Sequence, residues 1–337
     1  MFKKSIEFTL LNNPLIDFLN LLIEFINQYY FVIIGLYFLR NAIITAIYAD
    51  TGVDYKVYLF ALAFASFTAY SEIKNNVKLV SFLLCAVPFL FFLWHISGPI
   101  GYQFWDKMLS WEITKGIVIN LNPLFQSIPF NNGAIFRIYR SNTLDWIMTL
   151  IYNNGFVLPV LVPIYRAAIS KDFGKMLRYA LSAHIFQIFI ISPFYVIFHL
   201  QQVWFVLGQP DIMNRHLTAA QAASVTINCF PSMHVSIAFA IFLLVLREKN
   251  KAFKYVWGFF CLSVIFSTLY LEVHWVLDVI GGMILAYGTV KLVDLVMDKG
   301  KTILCSPLKK LYYKNSDSSK IELRSEEHTS ELQSPVR

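Results

Sequence analysis

The stretch STLYLEVHWVLDVIGG, residues 267–282, sets His274 and Asp278 at the head of a long apolar run. A second stretch, CFPSMH at residues 229–234, opens another apolar run with Ser232 and His234. Ionisable groups are expensive in hydrocarbon and are kept there for work, so these residues form the candidate site. His274 and Asp278 are four apart and share one face of a helix. Asp278 then accepts from one ring nitrogen and leaves the other free to attack. A histidine held in this way is a nucleophile able to form a covalent phosphohistidine. His234 is the matching general acid, protonating the leaving oxygen and later activating the acceptor. Pro231 suits the first helical position, where its missing N–H costs nothing. Ser232 and His234 would then lie in a first turn whose free donors and dipole attract anions. Gly281 and Gly282 allow a neighbouring helix close approach.

Outward from this pair, apolar runs alternate with basic loops. Leu144–Tyr165, Tyr179–Leu200, Ser232–Leu246, Tyr255–Val273 and Val276–Val296 read as spans, with Leu79–Ile96 before them. Lys and Arg recur at 166–178, at 247–254 and after residue 298. Such loops face the cytoplasm, which puts 231–234 and His274 together at the extracytoplasmic face and the C-terminus inside. The N-terminal part, 1–96, is expected to hold further helices. Residues 13–28 read as an interfacial amphipathic stretch, 29–48 as a span in which Arg40 either faces the bundle interior or marks the end, and 57–70 as a short span. Residues 97–141, where Trp105, Trp111, Pro123 and Arg140 stand among apolar residues, read as an interfacial extracytoplasmic segment. The catalytic membrane core is placed at 142–298 and a cytoplasmic tail at 299–323. Residues 324–337, with His328, resemble translated sequencing-adapter sequence and are set outside the fold.

The chain is 57% hydrophobic and only 15% charged over 337 residues, more apolar surface than a soluble domain of that length could hide. The expected fold is therefore all-α and polytopic, a six-helix core within about eight transmembrane helices. The formal charge of +7 does not argue for nucleic acid, because the basic residues sit in short loops between spans. The four cysteines show no CxxC or other ligand spacing, so no disulfide framework and no metal site are expected.

The two motifs resemble those of the superfamily of type 2 phosphatidic acid phosphatases and vanadium haloperoxidases. Pro231, Ser232 and His234 match Pro-Ser-x-His, and Ser267, His274 and Asp278 match Ser-Arg-x5-His-x3-Asp. The resemblance covers roughly 144–296 and implies a six-helix core, with His274 as nucleophile, Asp278 as its orienter and His234 as general acid. Two departures stand out. Thr268 replaces the usual phosphate-gripping Arg, and no Lys-x6-Arg-Pro first motif occurs. In that respect the sequence looks like the branch containing inositol-phosphorylceramide synthases, which implies possible transfer of phosphoryl head groups between lipids.

The expectation is thus a membrane lipid phosphatase or phosphotransferase acting on a lipid phosphate, without cofactor. A non-catalytic lipid-binding or transport protein on the same fold is the alternative. Ser232 is a phosphate ligand or a plain helix cap. Ser267 is a phosphate ligand or a hydroxyl bonded back to its own helix. Arg215, with His216 beside it, Arg137 and Arg140 lie on the site's face and are phosphate cations or interfacial snorkellers. His95, His184 and His199 read as satisfied helix-end or interface residues.

Overall fold

The computed structural model describes residues 14–49, 51–101, 103–104, 107–108, 119–227 and 229–300. Trp105, Trp111 and nearly all of the 299–337 tail lie outside them. The chain forms two compact units, Met1–Val290 and Lys291–Arg337. Within the described residues it is almost wholly helical, and five helices are long and apolar enough to cross a membrane.

Helix α1, Pro14–Tyr48, is one uninterrupted helix of 35 residues. At 1.5 Å per residue it measures about 52 Å, against a hydrocarbon core of about 30 Å. The expected separate interfacial stretch is therefore continuous with the span. The Tyr30 hydroxyl donates to the Ile169 carbonyl, so the turns before Tyr30 run on past that end of the bundle. Arg40 is exposed on α1, and the helix does not end there. Helix α2, Val53–Thr68, returns against α1; a Cβ on Gly35 would meet the Phe67 ring at 2.8 Å, so only glycine allows this approach.

Helix α3 covers Leu79–Ile100. The expected span over 144–165 is broken into α4, Asn142–Asn153, and α5, Val157–Ile169, bent by 56°. The break falls on Asn154 and Gly155. Asn154 turns its amide to the Asp54 carboxylate at 2.6 Å and to the Leu150 carbonyl at 2.8 Å, interrupting the apolar run with satisfied polar groups. Helix α6 is Phe173–Ile197, with a π-helical turn at Leu181–Ile185. Helix α7, Met233–Val245, has thirteen residues, about 20 Å, and nine of them are buried. It is a core helix too short to cross a bilayer alone. Helices α8, Lys251–Tyr270, and α9, Val276–Gly300, are full spans. The count of about eight spans is reached only by adding α2, the bent pair and α7, none of which has the length of a straight span.

Four helices, α4, α6, α7 and α8, begin on a side-chain cap. Ser141 accepts from Leu144 N, Asp172 from Lys175 N, Ser232 from Val235 N and Asn250 from Phe253 N. The apolar core lies among α5 to α9, with α2 and α3 packed beside them.

At the end of the bundle away from Ser232, a buried ionic cluster ties five segments together. Arg166 is 1% exposed and pairs with Glu248 at 2.8 Å and Glu72 at 3.1 Å. Lys175 bridges the same two carboxylates, and Tyr179 donates to Glu248. Glu72 also accepts the backbone N–H groups of Lys249 and Asn250, which pins the start of α8.

Candidate active site

Motif residues reach the site through two sharp local features. Helix α8 ends in a turn in which the N–H groups of Val273 and His274 both donate to the Thr268 carbonyl at 3.1 Å. Glu272, in that turn, holds φ at 59°, a left-handed conformation that a long side chain adopts only under constraint. The constraint is Arg137, which pairs with Glu272 at 2.8 Å and also donates to the Asn132 carbonyl. Helix α9 then starts on Asn131, whose carbonyl oxygen accepts from Val276 N and whose side chain accepts from Leu277 N. His274 and Asp278 are thereby fixed across this helix start, with His274 Nδ1 2.5 Å from Asp278 Oδ2. Both are buried.

The second motif meets them at the head of α7. A Cβ on Gly282 would lie 2.7 Å from the Ser232 carbonyl oxygen, and one on Gly281 3.3 Å from Pro231 Cβ. The glycine pair is what lets α9 press against the first turn of α7. Pro231 stands two places earlier than expected: Ser232 takes the N-cap and Met233 the first helical position, so Pro231 precedes the cap and His234 is the second residue of the helix. The Phe230–Pro231 peptide is cis. The rings of His234 and His274 are 6.1 Å apart, centroid to centroid.

Both histidines line one cavity of about 330 Å³, with Tyr152, Phe156, Tyr195, Gln202, Cys229 and Met233 among its walls. The α4–α5 break shapes it. Tyr152 stacks on the His234 ring at 4.2 Å from one side of the break, and Phe156 contacts it at 3.6 Å from the other. Gly155 between them lies so close that a Cβ would come within 3.3 Å of His234 Cδ2 and 2.8 Å of Val264 Cγ1. Sequence reasoning missed Tyr152 and Phe156; the only signal was the polar run Asn153-Asn154-Gly155 inside an apolar stretch.

The other sequence-predicted residues fall in different places. Ser232 Oγ accepts from Val235 N as a helix cap, and Ser267 Oγ donates back to the Val264 carbonyl at 2.7 Å. Thr268 likewise bonds back, to Ile265. Arg137 is held by Glu272; burial, the largest influence, pulls its guanidinium below the ordinary value, against that carboxylate. Arg140 pairs with Asp145 at 3.1 Å, which outweighs its partial burial and raises it. Arg215 grips Asp211 with two nitrogens, at 2.7 and 3.1 Å, and reaches Gln202 Oε1 at 3.2 Å. Since Gln202 lines the cavity, Arg215 is the candidate cation with a direct connection to its wall. His216 is exposed.

Cysteine spacing gave no metal signal because it reads only local sequence. Folding brings Cys229 to His274 and Asp278, with one ligand atom from each lying within 4.8 Å of the others. Burial pushes the Cys229 thiol well above its ordinary value, with the Asp278 charge adding to the effect.

Two buried histidines, a hydrogen-bonded carboxylate and a walled cavity at the end of a membrane bundle make a site suited to nucleophilic phosphoryl transfer. Residues 179–300 match the family model of the PAP2 superfamily. No curated protein and no solved structure matches the chain. The matched segment takes in most of α6 and all of α7 to α9, with His234, His274 and Asp278, and it leaves Tyr152 and Phe156 outside. The match supports a function of the lipid phosphatase type in general and suggests a lipid phosphate as substrate, and the five apolar helices support a multi-pass membrane protein.

Proposed function

We propose that the protein transfers a phosphoryl group from a phosphorylated lipid through a phosphohistidine on His274, at the extracytoplasmic face. The observation that carries this reading is the 2.5 Å contact between His274 Nδ1 and Asp278, with His234 across the same cavity. Nδ1 keeps its proton toward Asp278, so the lone pair on Nε2 attacks phosphorus. The P–N bond forms as the P–O bond to the lipid breaks. His234 gives its proton to the departing oxygen. It then takes a proton from the acceptor, whose oxygen displaces the imidazole and frees His274. Asp278 stabilises the charge that develops on the ring in both steps.

The lipid's hydrocarbon chain has a place beside this chemistry. A second cavity of about 480 Å³ shares Phe156 and Met233 with the first and is lined mainly by apolar residues, among them Leu93, Val160, Leu161 and Ile237. A lipid lying with its phosphate at the histidines would pass Phe156 and bury its chain there.

Water as acceptor makes a phosphatase, and a lipid or polyol hydroxyl makes a phosphotransferase. Thr268 in place of the usual Arg, with its hydroxyl bonded back to its helix, favours kinship with the inositol-phosphorylceramide-synthase-like branch, and with it transfer. The loss leaves Arg215, steered through Gln202, to meet the phosphate.

The test is release of free phosphate from phosphatidic acid or an isoprenoid diphosphate by the purified protein in detergent. Turnover that vanadate inhibits and His274→Ala abolishes supports the reading. Full turnover by His274→Ala overturns it. Lipid binding with neither phosphate release nor transfer would favour a non-catalytic lipid-binding protein on the same fold.

A further inference from the structure

We propose that Cys229, His274 and Asp278 form a binding site for one thiophilic divalent cation of the zinc class, and that its occupancy switches the site off. Three observations point to an ion. The ligand atoms of the three residues lie within 4.8 Å of one another, and all three side chains are buried. Asp278 Oδ1 is buried and accepts no hydrogen bond of ordinary geometry, although the Trp275 and Ser232 N–H groups lie near the carboxylate. Cys229 and His274 both line the 330 Å³ cavity, which supplies an entry path and an open position for a fourth ligand.

The donor set selects the class of ion. A sulfur, an imidazole nitrogen and a carboxylate oxygen suit zinc and its softer neighbours, whereas magnesium and calcium require oxygen alone. A thiolate and a carboxylate around a doubly charged cation sum to zero, which removes most of the cost of placing charge in a dry site. Tetrahedral zinc bonds of about 2.0–2.3 Å set neighbouring ligands roughly 3.5 Å apart, so the three atoms must draw in by about an ångström. Cys229 has that freedom, since it precedes α7 and its thiol is held by the Thr226 carbonyl at 3.3 Å and, at 3.9 Å, by that of Val273.

Binding releases one net proton, from the Cys229 thiol. If the ion takes His274 Nδ1, it displaces that proton from between Nδ1 and Asp278 and leaves the ring protonated on Nε2. If it takes Nε2, it occupies that lone pair directly. Either way His274 loses its nucleophile. The inhibition rests on the phosphohistidine reading; the binding does not.

Cobalt(II) alone, added to the detergent-purified full chain, tests the binding by its thiolate-to-cobalt charge-transfer absorption. A band saturating at one equivalent is expected, displaced by zinc and lost in Cys229→Ser, while Cys85→Ser keeps it. Its absence from the native chain, or its persistence in Cys229→Ser, overturns the site without recourse to activity. Zinc should then lower phosphate release reversibly to chelator. The concentration needed should rise at least tenfold in Cys229→Ser, each protein being compared with its own uninhibited rate. A band in a protein whose turnover zinc leaves unchanged overturns the inhibition. A band in a native protein without any turnover supports the site and counts against the phosphohistidine reading instead.

Discussion

Gly155 sits against His234 so closely that a Cβ there would lie 3.3 Å from the imidazole Cδ2, with Val264 at 2.8 Å behind. The imidazole is thus positioned by a backbone break, with Tyr152 and Phe156 on either side of it. Gly155→Ala must push the ring or the α4–α5 junction. Overpacking costs typically about 1–3 kcal/mol, and a displacement near 1 Å at the chemistry costs on the order of 10²-fold in rate. Phosphate release by Gly155→Ala should fall by roughly that factor while the helical circular-dichroism signal is kept. An unchanged rate would show that His234 is not held by this junction.

Asp278→Asn separates orientation from charge. The amide fills the same space but cannot stabilise the charged ring, and it favours the wrong tautomer of His274. By analogy with other carboxylate–histidine pairs the rate should drop by about 10⁴-fold with little change in stability. A loss under tenfold would mean that Asp278 serves packing.

Arg166 makes a prediction about stability rather than rate. It is the buried cation between Glu72 and Glu248. Arg166→Ala leaves the two carboxylates sharing Lys175 as their one remaining cation in the cluster and should cost about 3–5 kcal/mol. The readout is the thermal midpoint in detergent, expected to fall by several degrees. Arg166→Met with Glu248→Gln should recover part of the loss, because the remaining charges are fewer.

The second cavity predicts a dependence on chain length. Leu161→Trp fills part of it without touching the histidines. The variant should lose turnover on long-chain lipid phosphates, about tenfold or more in kcat/KM for 1.4 kcal/mol of lost burial. It should keep turnover on short-chain analogues. Equal losses on both would place the chain elsewhere.

The legible and the hidden parts of this molecule divide along a physical line. His274 and Asp278 were readable because a spacing of four is local, and the structure joins them at 2.5 Å although His274 stands in the turn just before α9 rather than on the same helix. Apolar runs with basic loops gave the all-α membrane fold for the same local reason. The α4–α5 break was hidden because two asparagines and a glycine inside an apolar stretch did not outweigh its length. The partners of Arg137 and Arg140, Glu272 and Asp145, were equally unreadable as partners, since long-range ion pairs leave no periodic trace. Cys229 came to the site only through the crossing of α7 and α9, which Gly281 and Gly282 permit.

The central claim is that His274 carries the phosphoryl group, and its most direct test is to trap it there. The native protein is mixed with lipid phosphate labelled at phosphorus, quenched in denaturant at alkaline pH, digested and mapped by mass spectrometry. The account predicts an acid-labile, alkali-stable phosphoryl group on the peptide containing His274, absent from His274→Ala and accumulating in His234→Ala, where its discharge is slowed. Turnover of the same substrate with no phosphohistidine, or with the label on another residue, would contradict it.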